Sequence, residues 1–556
     1  MGCTAGILYI YLTYYVCYIN TLPNPTFYIL LYIYIYIYLN INLMYSLLRY
    51  TRRLPLALPL LSIAFVSTSV SFIAFAKREH HHSTLTSALF SHQTATTITP
   101  WYHSTFISPS NMTITTTPPI QEGQLFIPAE TAPHLATILG FPSPHAVPGD
   151  LLRATRNEIM DLAVTISEFE PVRVHVRAED EALARETLVK RHARLVDMYS
   201  SSSDAKGKKN KKKKKGKTDD GEIPQYNLDN VTFHACATNH PWVRDTAPVY
   251  VLDTTNPGKR VAIDFGFCEW GGKNHAEIDV RDELVVQEYK DERDERAPIN
   301  RTNYQIPDKR HWENARFAKQ VLELEADTNT TNMTIERITS PVRLEGGGIE
   351  VDGNGTLLAT ESSIICDYRN DGMSKETIEI HLRRLLGVTK IIWFPGRRDH
   401  DITDCHVDGE VKFLAPGLVV QSKPHKRAEK VEKEIYKEIR DILTRETDAQ
   451  GRKFKIVEIE GPDLEKVGWS DEEYGYENEE FDEEDEEDEA VVGMYVNFYF
   501  VNGGLILPAF GDKRQDRKAV ETLRKWIEPE RKIRQVYNSA LPRMGGVVHC
   551  VTQQVV

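Results

Sequence analysis

From residue 157 to the C-terminus, short β-patterned runs alternate with amphipathic helical stretches, and this recurrence constrains the fold more than any single motif does. Residues 157–168 place apolar side chains at helical spacing, and residues 172–176 alternate as a half-buried strand does. Residues 356–360 and 390–393 read as strands, and 375–386 and 430–444 as helices. Further on, residues 495–501 and 505–507 read as strands and 517–527 as a helix. Repeated alternation of this kind predicts an α/β fold. It leaves open whether the strands make one open sheet or a closed, repeated arrangement.

Two charged tracts interrupt the pattern. Residues 200–221 contain a lysine-rich run, and residues 471–489 are dominated by Asp and Glu. Neither has the apolar side chains that would offset the entropy of ordering, so both are expected to be disordered loops inserted in one large domain. The lysine run has a second reading, as a nuclear signal or a polyanion contact; a solvated insertion is preferred.

The leader is different again. Residues 1–48 carry no charged side chain and include a stretch of strictly alternating Tyr and Ile, while residues 54–76 form a second uncharged run long enough to span a bilayer. Arg49, Arg52, Arg53, Lys77 and Arg78 flank that run, as in an anchor or a targeting segment. Alternating Tyr and Ile is also the translation of a TATATA repeat, in which case Met112 is the natural start. Residues 1–111 are therefore read as a low-complexity hydrophobic leader (gene-model artefact, presequence or membrane anchor), and 112–556 as the folded domain. A cytoplasmic location is expected, with a membrane-anchored or organelle-targeted protein as the alternative if the leader is real.

The formal net charge of -13 disfavours nucleic acid as the main partner. The seven cysteines, Cys3, Cys17, Cys236, Cys268, Cys366, Cys405 and Cys550, contain no CxxC pair, which argues against a zinc site or a disulfide framework and fits a reducing compartment.

Four polar clusters punctuate the folded part, each at a turn after a strand-like run. They are Trp-Val-Arg-Asp-Thr-Ala-Pro at 242–248, Leu-Glu-Gly-Gly-Gly at 344–348, Asp-Ile-Thr-Asp-Cys-His-Val-Asp at 401–408, and His549-Cys550. Taken singly, each has a bland explanation: a lone His-x-Asp is usually a satisfied pair, a glycine run a tight turn, and a cysteine near a terminus inert. Together they offer a thiol, an imidazole and several carboxylates. His406 and Asp408 are two residues apart, so an extended strand would project both to one face. A cysteine nucleophile with a histidine proton shuttle needs only one group to orient the ring, so surplus carboxylates point to a cationic substrate. Planar guanidinium is the cation that two carboxylates grip through paired hydrogen bonds, which would hold its central carbon before a thiolate.

These motifs resemble agmatine deiminase and the related Porphyromonas-type peptidylarginine deiminases, members of the guanidino-group-modifying enzymes. The resemblance covers most of residues 157–554 apart from the charged tracts. It includes Trp-x-Arg-Asp-Thr at 242–246, Gly-Phe-x-x-Trp-Gly-Gly-Lys at 266–273, Leu-Glu-Gly-Gly at 344–347, Val-Asp-Gly-Asn-Gly-Thr at 351–356, Asp-Ile-Thr-Asp-x-His-Val-Asp at 401–408 and His-Cys-Val-Thr-Gln-Gln at 549–554. It implies a fivefold pseudosymmetric α/β propeller of pentein type with the site on its central axis.

By that resemblance, Cys550 is the nucleophile and His406 the general acid/base. Asp245 and Asp408 hold the guanidinium, and Glu345 is the acidic partner of the histidine. Trp242, Arg244, Trp270 and Gly347 fall among the substrate-contacting positions. The implied reaction needs no metal or organic cofactor: thiolate attack on the guanidinium carbon, loss of ammonia, and hydrolysis of a covalent thiouronium. Agmatine is the expected substrate, giving N-carbamoylputrescine and ammonia in putrescine biosynthesis. Peptidyl or free arginine is the alternative, and a catalytically idle scaffold a weaker third. Family members often form homodimers, so a homodimer is expected. The chain departs from the family pattern at Cys405 (usually Gly), His240 (commonly Asp), Val547 (commonly Asn) and Ala247 (usually Gly), none of which removes a catalytic group.

Overall fold

The computed structural model describes residues 123–147, 149–203, 224–256, 259–272, 313–327, 335–467, 491–527 and 529–556. The leader, the acidic tract and all of the lysine-rich tract beyond Ser203 lie outside the described residues. Among those that are described, no helix is long and apolar enough to cross a membrane.

In chain order the strands are β1 (Leu125–Phe126), β2 (Ala136–Gly140), β3 (Val172–Val176), β4 (Val231–Ala235), β5 (Val249–Asp253), β6 (Arg260–Asp264), β7 (Ile335–Thr339), β8 (Ile349–Val351) and β9 (Thr356–Thr360). They continue as β10 (Lys390–Phe394), β11 (Val411–Ala415), β12 (Leu418–Lys423), β13 (Lys455–Glu460), β14 (Tyr499–Val501), β15 (Gly504–Ala509), β16 (Lys532–Tyr537) and β17 (Gln553–Val555). They form five sheets of one plan. In β5-β6-β7, β8-β9-β10, β11-β12-β13 and β14-β15-β16, the first strand runs antiparallel to the second and the second parallel to the third. The remaining sheet repeats the plan with its first strand drawn from the far end of the chain: β17 is antiparallel to β2, and β2 is parallel to β3, with β4 added beyond. β1 extends the β5 sheet at its edge. The protein is thus the fivefold α/β propeller that the motifs implied. The open question of one open sheet or a closed, repeated arrangement is answered by the five separate sheets and by β17, which returns to the first.

Each parallel step needs a crossover, and amphipathic helices supply it. These are α1 (Gly149–Ile166) and α2 (Glu181–Ser203) on the first sheet, then α3 (Phe317–Asp327), α4 (Lys375–Leu386), α5 (Lys430–Arg445) and α6 (Lys513–Ile527), one per remaining sheet. Their spacing explains their burial: α5 buries Ile435, Ile439 and Leu443 at four-residue intervals, and α6 buries Ala519, Val520, Leu523 and Ile527. The Ser374 side chain caps α4 by accepting from the Thr377 N–H, and Gly387 ends it in the left-handed conformation at φ 66°. A Cβ at Gly387 would overlap the Leu125 carbonyl oxygen, so a side chain there would push β1 away. One apolar core joins α1, β3, β14 and β15; others fill the space beneath α4 and beneath α5.

Four elements differ from the sequence expectation. The helix expected over 157–168 begins eight residues earlier, at Gly149, and the one expected from 517 begins at Lys513. Of the strand expected over 495–501, only Tyr499–Val501 pairs; the residues before it turn inward. Residues 200–203, expected in the lysine-rich insertion, complete α2.

Candidate active site

Because the five units share one plan, each has a turn just ahead of its first strand, and these turns converge. A helical turn, Val243–Thr246, carries Asp245 ahead of β5, and the tight turn Gly346–Gly348 follows Glu345 ahead of β8. His406 and Asp408 flank Val407 ahead of β11, Asn497 precedes β14, and Cys550 lies in the turn before β17.

The 406–408 segment is not the extended strand expected. Asp404 and Cys405 both take left-handed backbone, at φ 64° and 70°, and Val407–Gly409 is a single 3-10 turn. The two side chains nevertheless meet, because Gly347 leaves room between them. A Cβ on Gly347 would stand 2.7 Å from His406 Nδ1, 3.1 Å from Asp245 Oδ1 and 3.1 Å from Asp408 Oδ2. Its N–H donates to Asp245 Oδ1 at 3.2 Å. Three functional atoms therefore surround a residue with no side chain, which is why glycine is needed there.

Cys550 faces this group, its Sγ 3.8 Å from Asp408 Oδ2. The His406 ring bridges two carboxylates, with Nε2 3.1 Å from Glu345 Oε2 and Nδ1 3.8 Å from Asp245 Oδ1. Trp270 Nε1 donates to Asp245 Oδ2 at 2.9 Å, from a backbone held at φ 49°.

The electrostatics follow from who pairs with whom. Burial tends to discharge His406, but Asp245, Glu345 and Asp408 outweigh it and push the ring up to about 9. Burial also tends to raise Glu345, yet the Arg369 guanidinium and His406 hold it below its usual range. Asp408 is held low against burial by its hydrogen bond to His549 and the charges of His549, His406 and Lys412. Asp245 goes the other way: burial, with Glu345 and Asp408 nearby, raises it despite the pull of His406. Burial, Asp408 and Asp245 likewise push the Cys550 thiol well above its ordinary value. Among the described residues neither Asp245 nor Asp408 has an ion pair with Lys or Arg. Their partners are the imidazoles of His406 and His549.

Several residues that sequence reasoning did not single out hold this arrangement. Arg369 places Nε 2.9 Å from both Glu345 oxygens and Nη1 2.9 Å from Asp404 Oδ2. His549 spans two carboxylates, its Nδ1 2.7 Å from Asp408 Oδ2 and its Nε2 2.7 Å from Glu130 Oε2. Glu130 also meets Lys412 at 3.1 Å and accepts from the Phe500 N–H at 2.9 Å. His549 at least stood in a quoted motif; Glu130, Arg369 and Lys412 carry no local mark in the sequence.

Of the substrate-contacting positions expected, Trp270 and Gly347 touch Asp245 directly. Trp242 is half-buried, its ring laid on Gly546. The Arg244 guanidinium donates to the His549 carbonyl oxygen at 3.3 Å, to Gln554 Oε1 at 2.8 Å and to Glu130 Oε2 at 3.4 Å. A buried guanidinium takes the partners that satisfy its donors, and here they brace the Cys550 turn. At the departures, Cys405 occupies a left-handed position of the sort glycine favours, and burial with Glu410 and Asp401 pushes its thiol well up, away from reactivity. His240 packs edge-on to Trp270 and Phe267, with Nε2 3.4 Å from Glu269 Oε2. Val547 and Ala247 are buried apolar residues. Among the described residues, no group of three or more His, Cys, Asp or Glu side chains has the geometry of a metal site.

Comparison with known proteins adds a family and a fold. The family described as Porphyromonas-type peptidyl-arginine deiminase matches residues 126–555. The chain is 32% identical over 447 residues to agmatine deiminase of Stutzerimonas stutzeri (strain A1501), a match covering 80% of this chain and 98% of that protein. Among solved structures, agmatine deiminase of Enterococcus faecalis superposes with a TM-score of 0.54 at 24% identity, over 78% of this chain and 96% of the other. C. jejuni agmatine deiminase with substrate bound gives 0.53 at 18% identity, over 78% and 96%. At these identities the structural likeness is one of fold.

Proposed function

We propose, from the premise that this chain belongs to the Porphyromonas-type peptidyl-arginine deiminase family and is a hydrolase of guanidine carbon–nitrogen bonds, that it converts agmatine to N-carbamoylputrescine and ammonia through a covalent Cys550 intermediate. The observation that carries the reading is the buried carboxylate pocket: Asp245 and Asp408, paired with His406 and His549 and with no Lys or Arg ion pair among the described residues, set around Gly347 opposite a thiol. A planar guanidinium supplies a cation of matching shape and enough N–H donors for both carboxylates.

The geometry supports the following steps. Carboxylate grip on the guanidinium nitrogens presents its carbon to Sγ, and the bound cation offsets the carboxylates that oppose thiol ionisation. Cys550 thiolate adds to that carbon. A guanidinium nitrogen leaves as ammonia, taking a proton from His406 Nδ1, the ring nitrogen turned toward the pocket. Glu345 accepts at Nε2 and fixes the ring. A thiouronium on sulfur remains. Water, deprotonated by His406, adds to its carbon; collapse breaks the C–S bond, restores the thiol and releases the ureido product.

Ammonia release from agmatine, free arginine and a peptide with C-terminal arginine, measured side by side, tests the substrate. Agmatine should be turned over with the highest kcat/KM, as the names of the relatives suggest. Preference for the peptide would move the assignment to protein-arginine deimination, which the family's own description favours. Cys550→Ala should release no ammonia from any of the three; persistent release would remove the thiol from the mechanism.

A further inference from the structure

Four of the five converging turns supply groups with a task in the reaction above. The fifth, ahead of β14, supplies Asn497, whose side chain is fully buried and which the reaction leaves without one. Its carboxamide is held from both ends. Oδ1 accepts from the backbone N–H groups of His549 at 2.9 Å and Cys550 at 3.4 Å. Nδ2 lies 3.5 Å from the Asp408 carbonyl oxygen and 3.3 Å from Cys550 Sγ. The two backbone donors decide which end of the amide is oxygen, since a flipped amide would set N–H against N–H. Nδ2 must therefore face the sulfur. Sγ is also 3.5 Å from Oδ1, so one amide is placed to accept from the thiol and to donate to the thiolate.

We propose that Asn497 is a catalytic residue, a neutral donor that stabilises the Cys550 thiolate during attack on the substrate and again when the C–S bond breaks. The inference rests on reading Cys550 as the nucleophile. Burial, Asp408 and Asp245 all oppose ionisation of this thiol, and a bound guanidinium relieves them only while it is present. Within the protein, the Val547 backbone and the Asn497 side chain act in the opposite direction. A lysine or arginine at this position would favour the thiolate more strongly, but would repel the cation the pocket is built to hold. An amide gives part of the benefit without that repulsion. The pseudosymmetry supplies an independent reason: Asn497 occupies the same place in its unit, ahead of the first strand, that Asp245, Glu345, Asp408 and Cys550 occupy in theirs.

The rate of Cys550 alkylation by iodoacetamide, followed from about pH 7 to 10 by mass spectrometry of the C-terminal peptide, reads the thiolate fraction without turnover, and below the thiol pKa that rate falls about tenfold for each unit the pKa rises. In the full-length protein, Asn497→Ala should raise the apparent thiol pKa by about one to two units and lower agmatine kcat/KM by about 10- to 100-fold, as expected for loss of a hydrogen bond to a charged atom. Asn497→Asp keeps an oxygen for the two backbone donors and puts a second oxygen where Nδ2 stood. It should shift the thiol further than alanine does, with a melting temperature within a few degrees of wild type. An unshifted alkylation profile in either variant overturns the proposal and leaves Asn497 as a brace for the Cys550 turn. Because alkylation needs no turnover, that failure is distinguishable from ammonia release by Cys550→Ala, which would overturn the underlying reading.

Discussion

His406 shows how neighbours, not residue type, set the chemistry. Its folded pKa of about 9 stands above the ordinary 6.5, so between those values the folded protein binds a proton that the unfolded chain releases. The stability it contributes is complete below pH 6.5 and is lost as pH rises through about 9. Denaturant unfolding of wild type and His406→Gln should therefore differ most below pH 6.5 and converge by about pH 10; a gap that widens with pH would contradict the ion pairs with Asp245 and Glu345. Glu345 and Asp408 act in the opposite sense, since their lowered values give stability that is present at neutral pH and lost in acid. Arg369 is the counterweight to Glu345 and Asp404, both buried. Arg369→Met should cost about 3–5 kcal/mol in unfolding free energy, because it strands two carboxylates. At this scale the sequence was informative where a polar residue stood in an unusual turn, as Asp245, Glu345, His406, Asp408 and Cys550 do. Asn497 escaped notice because it sits in a run of aromatic and β-branched residues that reads as strand throughout.

Among the elements, β17 has the widest influence for its length. Its three residues pair with Ile138, Thr137 and Ala136 of β2, Val555 is fully buried, and Gln554 receives a hydrogen bond from Arg244. Removing residues 553–556 leaves Cys550 in the chain but takes away the pairing that fixes its turn. Such a protein should lose at least about 100-fold in ammonia release and melt several degrees lower; near-wild-type turnover would show that the thiol is positioned without β17. The periodicities of α4, α5, β3, β9 and β10 were legible because one face of each is apolar at the right spacing. Helix starts were not. Gly149–Asp150 and Lys513–Arg514 are exposed and leave no periodic trace.

For the whole molecule, Glu130 is the point where the units meet near the site. It contacts Lys412 of β11, Phe500 of β14, His549 before β17 and Arg244 before β5. Lys412 and His549 hold its carboxyl well below the usual range against the cost of burial. Glu130→Gln should destabilise the fold by about 3–5 kcal/mol in chemical denaturation and reduce activity through His549 and Asp408, because buried cations lose their common partner. None of this was legible in the sequence: Glu130 and Lys412 are 282 positions apart, and both are residue types that ordinarily sit in solvent. We further expect a chain begun at Met112 to keep full activity, which ammonia release and melting temperature will check against the full-length protein.

The return of β17 to β2 also fixes an order in time. A ribosome makes the imidazole, the carboxylates and the amide well before it makes the thiol, and the strand that seats that thiol must then find a partner more than 400 residues back in the chain. On the proposed assignment of Cys550, a growing chain has nothing that can attack a guanidine until that residue is made and seated. On that assignment reactivity arrives together with completed folding, and a chain stopped anywhere before residue 550 lacks the proposed nucleophile.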